Sequence, residues 1–93
     1  MLNEQDLDQK LDFCNAVIKL ADEFDLSITS WYRSPKRNES VGGKPTSKHL
    51  RGLAVDVVLD KKEDTDNFTK RVNQYGLVWL NEGDHIHCQI KGG

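Results

Sequence analysis

A carboxylate stands in the middle of the strongest strand signal in the chain. Leu53, Val55, Val57 and Leu59 alternate with Ala54, Asp56 and Val58, so a period of two turns Asp56 away from the face carrying the larger apolar side chains. A carboxylate in such a run is costly unless a cation or a hydrogen-bond donor meets it. Any fold must therefore bury one face of this strand and bring a partner to the other. Imidazoles are the obvious partners: His49 precedes the strand, and His85 and His87 follow far down the chain in Asp84-His85-Ile86-His87. His49, Asp56 and His87 are nitrogen and oxygen ligands of the kind a catalytic zinc takes, with a coordination position left for water.

The flanking patterns supply the rest of a small domain. Asn3 is placed to cap a helix running to about Phe24, with Leu7, Leu11, Cys14, Ile18 and Ala21 at helical spacing and Val17, Leu20 and Phe24 widening the stripe. Residues 26–31 alternate as a strand rich in β-branched and aromatic side chains. Pro35, Asn38, Gly42, Gly43 and Pro45 then punctuate a stretch that reads as an ordered loop over 34–48, long enough to suggest a functional role. Asp64 or Thr65 is placed to cap a second helix carrying Phe68, Val72 and Tyr75, and Gly76 to end it. Residues 77–80 form a short strand, Glu82-Gly83-Asp84 a turn, and 85–90 a last strand. Ile86, Cys88 and Ile90 face the core there, which leaves His85, His87 and Gln89 on the other side. Asp56 and His87 thus both point off the core face, and pairing their strands would bring them together. The expected fold is α+β: a small, mainly antiparallel sheet with helices on one side and a zinc site on the open face.

Ninety-three residues, 37% hydrophobic and 30% charged, make one domain with a modest core, spanning 1–93. No apolar run is long enough for a membrane span, and no secretory leader pattern opens the chain, so the expectation is cytosolic synthesis without a membrane partner. The net charge of −2 is uneven. Between Trp31 and Arg51, six basic residues face only Glu39, a local excess of +5 that would attract an anionic substrate. That segment lacks the interleaved aromatic and basic residues of a nucleic-acid surface, so no nucleic-acid partner is expected. Gly42 and Gly43 read as backbone requirements rather than a phosphate cradle, since no helix with Lys-Ser/Thr follows. Trp31 and Trp79 read as core. Cys14 and Cys88 read as buried, reduced thiols, with pairing left open because a disulfide needs Cα atoms within about 7 Å.

A wider set of residues resembles a known family. Tyr32-Arg33-Ser34-Pro35, Asn38, Val41-Gly42-Gly43, Ser47-x-His49-x-x-Gly52-x-Ala54-x-Asp56 and Asp84-x-x-His87 look like the zinc D-Ala-D-Ala carboxypeptidases and L-alanyl-D-glutamate endopeptidases of peptidase family M15, which includes many phage endolysins. The resemblance runs from about Ser27 to His87. It implies that His49, Asp56 and His87 hold zinc and that Asp84 is the general base for the attacking water. Arg33 would bind the substrate carboxylate or polarise the scissile carbonyl; Ser47 would brace the site and His85 would support it beside the metal. Glu82 is the substitute base if strand alternation turns Asp84 away. The implied substrate is a peptidoglycan stem peptide, cut by a monomeric enzyme that reaches the cell wall after release from the cytosol. The alternative from another class is a metal-stabilised module that binds wall peptides without cutting them.

Overall fold

In the computed structural model, residues 4–31, 34–42 and 52–91 are described. They form helix α1 (Glu4–Glu23), strand β1 (Leu26–Ser30), helix α2 (Pro35–Ser40), strand β2 (Ala54–Leu59), a 3₁₀ turn (Lys62–Asp64), helix α3 (Thr65–Gln74) and strands β3 (Leu77–Asn81) and β4 (Ile86–Ile90). The four strands make one sheet in the order β1-β2-β4-β3, and every neighbouring pair is antiparallel. The α+β expectation is met, and β2 and β4 occupy the centre of the sheet.

One face of the sheet carries the core. Val55 and Val57 of β2, Leu77 of β3, and Ile86 and Cys88 of β4 are buried against Phe13, Ala16, Val17 and Leu20 of α1 and Phe68 and Val72 of α3. Aromatic edges close the layer: Phe24 meets Phe68 at 5.4 Å between ring centres, and Phe13 meets Trp31 at 6.1 Å, both nearly perpendicular. Arg71 of α3 donates to Glu23 at 2.6 Å, and Tyr75 bonds the same carboxylate, so the end of α1 is tied to α3.

Four local expectations change. The buried stripe of α1 runs through Phe13, Val17 and Leu20, whereas Leu7, Leu11 and Ile18 are 49%, 54% and 57% exposed. This helix has apolar residues on more than one side, and the bulk of Phe13 together with Val17 and Leu20 decides which side is buried. The loop expected over 34–48 opens with a helix instead. The Ser34 hydroxyl accepts from Arg37 N–H at 3.2 Å and Pro35 takes the first helical position, a start signal rather than a break. Neither Asp64 nor Thr65 caps α3 through its side chain. The 3₁₀ turn runs directly into α3 and leaves Asp64 in helical geometry, and the Thr65 hydroxyl donates backwards to Lys62 O at 2.6 Å. Trp79, expected in the core, stands on the helix side by register but on an edge strand, where it is 40% exposed. Trp31 does pack against the core, and its indole N–H donates to Gly52 O at 3.1 Å.

Phe13→Ala should destabilise the domain by about 3–5 kcal/mol, while Leu11→Ala on the opposite side of the same helix should cost under about 1 kcal/mol. Urea denaturation of the two variants checks this, and equal losses would contradict the burial of α1 described here.

Candidate active site

The face of the sheet away from α1 and α3 holds the polar residues. Antiparallel pairing sets Asp56 of β2 directly opposite His87 of β4 and opposite Ser30 of β1, so these three form one row across the sheet. A bulge at Thr29 shifts β1 by one residue, which is what brings Ser30 into that row, and the Thr29 hydroxyl donates to Asp56 O at 3.3 Å. His87 Nδ1 lies 3.0 Å from Asp56 Oδ1 and His87 Nε2 lies 2.9 Å from Gln89 Oε1. Both partners of the first contact are largely buried, with side-chain exposures of 19% and 13%.

The turn between β3 and β4 brings up the rest. Gly83 sits at φ +94°, where an L side chain would be strained, and its N–H donates to Asn81 Oδ1 at 2.9 Å. A backbone bond from Glu82 N–H to His85 O, 2.9 Å, closes the turn. His85 Nε2 then faces the site, 3.4 Å from Glu82 Oε2 and 4.0 Å from Asp56 Oδ1, while His85 Nδ1 lies 2.6 Å from Asp84 Oδ1. Asp84 lies in the turn, where alternation fails, and its side chain is 89% exposed. Its contact is with the outer nitrogen of His85; the ring stands between it and Asp56.

A cleft of about 570 Å³ opens beside this cluster, with Trp31, Arg37 and Val41 among the residues facing Asp56 and His85. The short helix α2 therefore lies along the open face, so only α1 and α3 conform to the expectation of helices on one side. Arg37 carries the positive charge among the described cleft residues; in the sequence it was one base among six. Arg33, Ser47 and His49 lie outside the described residues.

Among the described residues, no group of three His, Cys, Asp or Glu side chains is arranged to hold a metal. The donor chemistry of the central pair nevertheless suits one. Two ligands of a tetrahedral zinc, each at about 2.0–2.1 Å from the ion, stand roughly 3.3 Å apart. Asp56 Oδ1 and His87 Nδ1, at 3.0 Å, need to part by only a few tenths of an ångström. Cys88 is no rival ligand: it points into the core, and burial pushes its thiol up to about 12. Neither cysteine is in a disulfide, and Cys14 is half-buried rather than buried.

The domain is thus an antiparallel sheet with a carboxylate–imidazole pair set into its open face beside a cleft, an arrangement suited to metal-assisted hydrolysis. A family profile described as Peptidase M15 matches residues 2–89, and the chain belongs to that peptidase family. No curated protein and no solved structure matches the chain significantly.

The hydrogen bond that His87 donates to the Asp56 carboxylate is the largest influence on its imidazole and holds it above the ordinary histidine value; burial opposes this, and the Gln89 carbonyl adds to it. A raised value in the folded state stabilises the metal-free protein fully below the unfolded value of about 6.5, and that contribution fades as pH rises through the folded one. In the metal-free protein, NMR should show the His87 midpoint raised relative to an unperturbed histidine, and Asp56→Asn should lower it. An unmoved midpoint would mean that the carboxylate does not charge the ring.

Proposed function

We propose that this chain is a zinc peptidase acting on the stem peptides of bacterial peptidoglycan, an endolysin-like hydrolase of the L-alanyl-D-glutamate endopeptidase or D-Ala-D-Ala carboxypeptidase type. The observation that carries this reading is the register that puts Asp56 opposite His87 in a chain of the M15 family. That family is generally zinc-dependent, and the oxygen and nitrogen donors of the pair suit the ion. In this reading His49 completes the ligand set with Asp56 and His87.

Zinc, when bound there, supplies Lewis acidity and makes water acidic near neutrality. The chain's own residues do the rest. Asp84 is the base that accepts the water's proton and passes it to the leaving amine. It is coupled to the cleft through His85, whose Nδ1 it holds and whose Nε2 is turned toward Asp56 and Glu82. Arg33 offers a planar, permanently charged fork to a substrate carboxylate, and Ser47 braces the ligand loop. The local excess of six bases over one acid between Trp31 and Arg51 draws an acidic peptide toward the cleft. The enzyme works as a monomer on cell wall that it meets after release from the cytosol.

Purified peptidoglycan digested with the protein should yield new termini that mass spectrometry assigns to one stem-peptide bond. A chelator should abolish the cleavage and zinc restore it. Asp84→Ala should keep the metal yet lose roughly 10²–10⁴-fold in kcat. Retained activity in that variant would move the base to Glu82. Stripped protein that takes up no zinc would end the peptidase reading, and zinc-loaded protein that binds wall peptides without cutting them would make the chain a recognition module.

A further inference from the structure

His87 and Gln89 are two residues apart on β4, so both side chains stand on the open face. The imidazole is held at both ends, Nδ1 at 3.0 Å from Asp56 Oδ1 and Nε2 at 2.9 Å from Gln89 Oε1. A neutral imidazole has one N–H and one lone pair, and which nitrogen keeps the hydrogen depends on what the other meets. A carbonyl oxygen can only accept. The Asp56 carboxylate also only accepts, so in the metal-free protein each ring nitrogen keeps a hydrogen, Nδ1–H toward Asp56 Oδ1 and Nε2–H toward Gln89 Oε1; when a cation takes the place of the hydrogen on Nδ1, the Gln89 carbonyl keeps the other on Nε2. The cross-strand neighbours of Gln89 are Ala54 and Val78, whose side chains offer the carboxamide no polar competitor.

We propose that Gln89 is a positioning residue: it holds His87 in the Nε2–H tautomer and in one ring orientation, so that Nδ1 is the atom presented, with Asp56 Oδ1, to a divalent cation. This rests on the metal reading above and assigns a role to a residue outside the ligand set. A carboxamide turned over would do the opposite. Its N–H would face Nε2, which would then need its lone pair, and the ring's one hydrogen would be confined to Nδ1 beside Asp56. Ring orientation matters as much as protonation, because an imidazole free to rotate about its side-chain bonds must be ordered again each time an ion binds.

The test uses the full chain, stripped with a chelator and titrated with zinc against a chromophoric competitor, as wild type, Gln89→Met and Gln89→Glu. Methionine keeps the length and apolar stem but removes the acceptor; glutamate restores one. Gln89→Met should weaken zinc binding by roughly 10–100-fold, the effect typical of losing the partner that orients a ligand histidine. Gln89→Glu should recover most of that affinity. In ¹⁵N spectra of zinc-loaded wild type, the His87 ring should show a slowly exchanging Nε2–H and a metal-bound Nδ1, and Gln89→Met should exchange that hydrogen faster. Thermal melts of the stripped variants control for folding. Zinc on Nε2, or Gln89→Met binding as tightly as wild type with the same protected hydrogen, would overturn the proposal while leaving the peptidase reading standing. Wild type that takes up no zinc would overturn both.

Discussion

The Asp56 carboxylate sits at the centre of the sheet with only 13% of its side chain exposed, between two buried valines in sequence. A carboxylate in that position without a partner would cost about 3–5 kcal/mol, a large share of the stability of a domain this small. The His87 imidazole, brought opposite by the β2–β4 register, offsets that cost. The two strands are thus held together by apolar contact on one face and by a charged hydrogen bond on the other. A slip of one residue would put Asp56 into the core and Val55 or Val57 into the cleft, which makes this register strongly preferred.

The two faces of the sheet divide the work. Helices α1 and α3 cover one face with aromatic and branched side chains, and the Glu23–Arg71–Tyr75 cluster fastens them to each other. The opposite face is left free for polar groups that need solvent, substrate and protons. Its boundaries come from short-range devices: the bulge at Thr29, the Gly83 turn that lifts Asp84 and His85 above the sheet end, and α2 along the cleft. The site is rigid where β2 and β4 supply it, because a neighbouring strand lies on both sides of each. At the turn, Asp84 contacts His85 alone among the described residues, and its side chain is 89% exposed.

The alternation around Asp56 and around His87 was legible because a period of two is a local property of the backbone, and it placed both side chains on the same face before any strand order was known. The helix α2 is hard to see in the sequence because proline breaks a helix interior yet suits its first turn, where it has no N–H to lose, and only the Ser34 cap shows the difference. The stripe read on α1 holds at Val17, Leu20 and Phe24 and fails at Leu7, Leu11 and Ile18, for another cause. Leu7, Leu11 and Ile18 are as apolar as Val17 and Leu20, and only the position of the sheet chooses between them. Trp79 failed for the same reason in reverse, with the right parity on a strand that proved to be an edge. Gln89 was placed on the correct face, but nothing in a strand pattern says that a carboxamide will turn toward a histidine two residues away.

By itself the sequence determined the chemistry and its side: which residues could ligate or move a proton, that Asp56 and His87 leave the core face, and the peptidase family through its spaced motifs. Those are properties of residue type and of short periodicity, and they need no long-range information. Only the tertiary structure decided that β4 rather than β3 lies beside β2, that Asp56 meets His87 rather than a neighbour one row away, and that Asp84 sits exposed against the outer nitrogen of His85. Strand order and register are contacts between residues some thirty positions apart, and they are settled by how the whole apolar face closes over α1 and α3 rather than by any one segment.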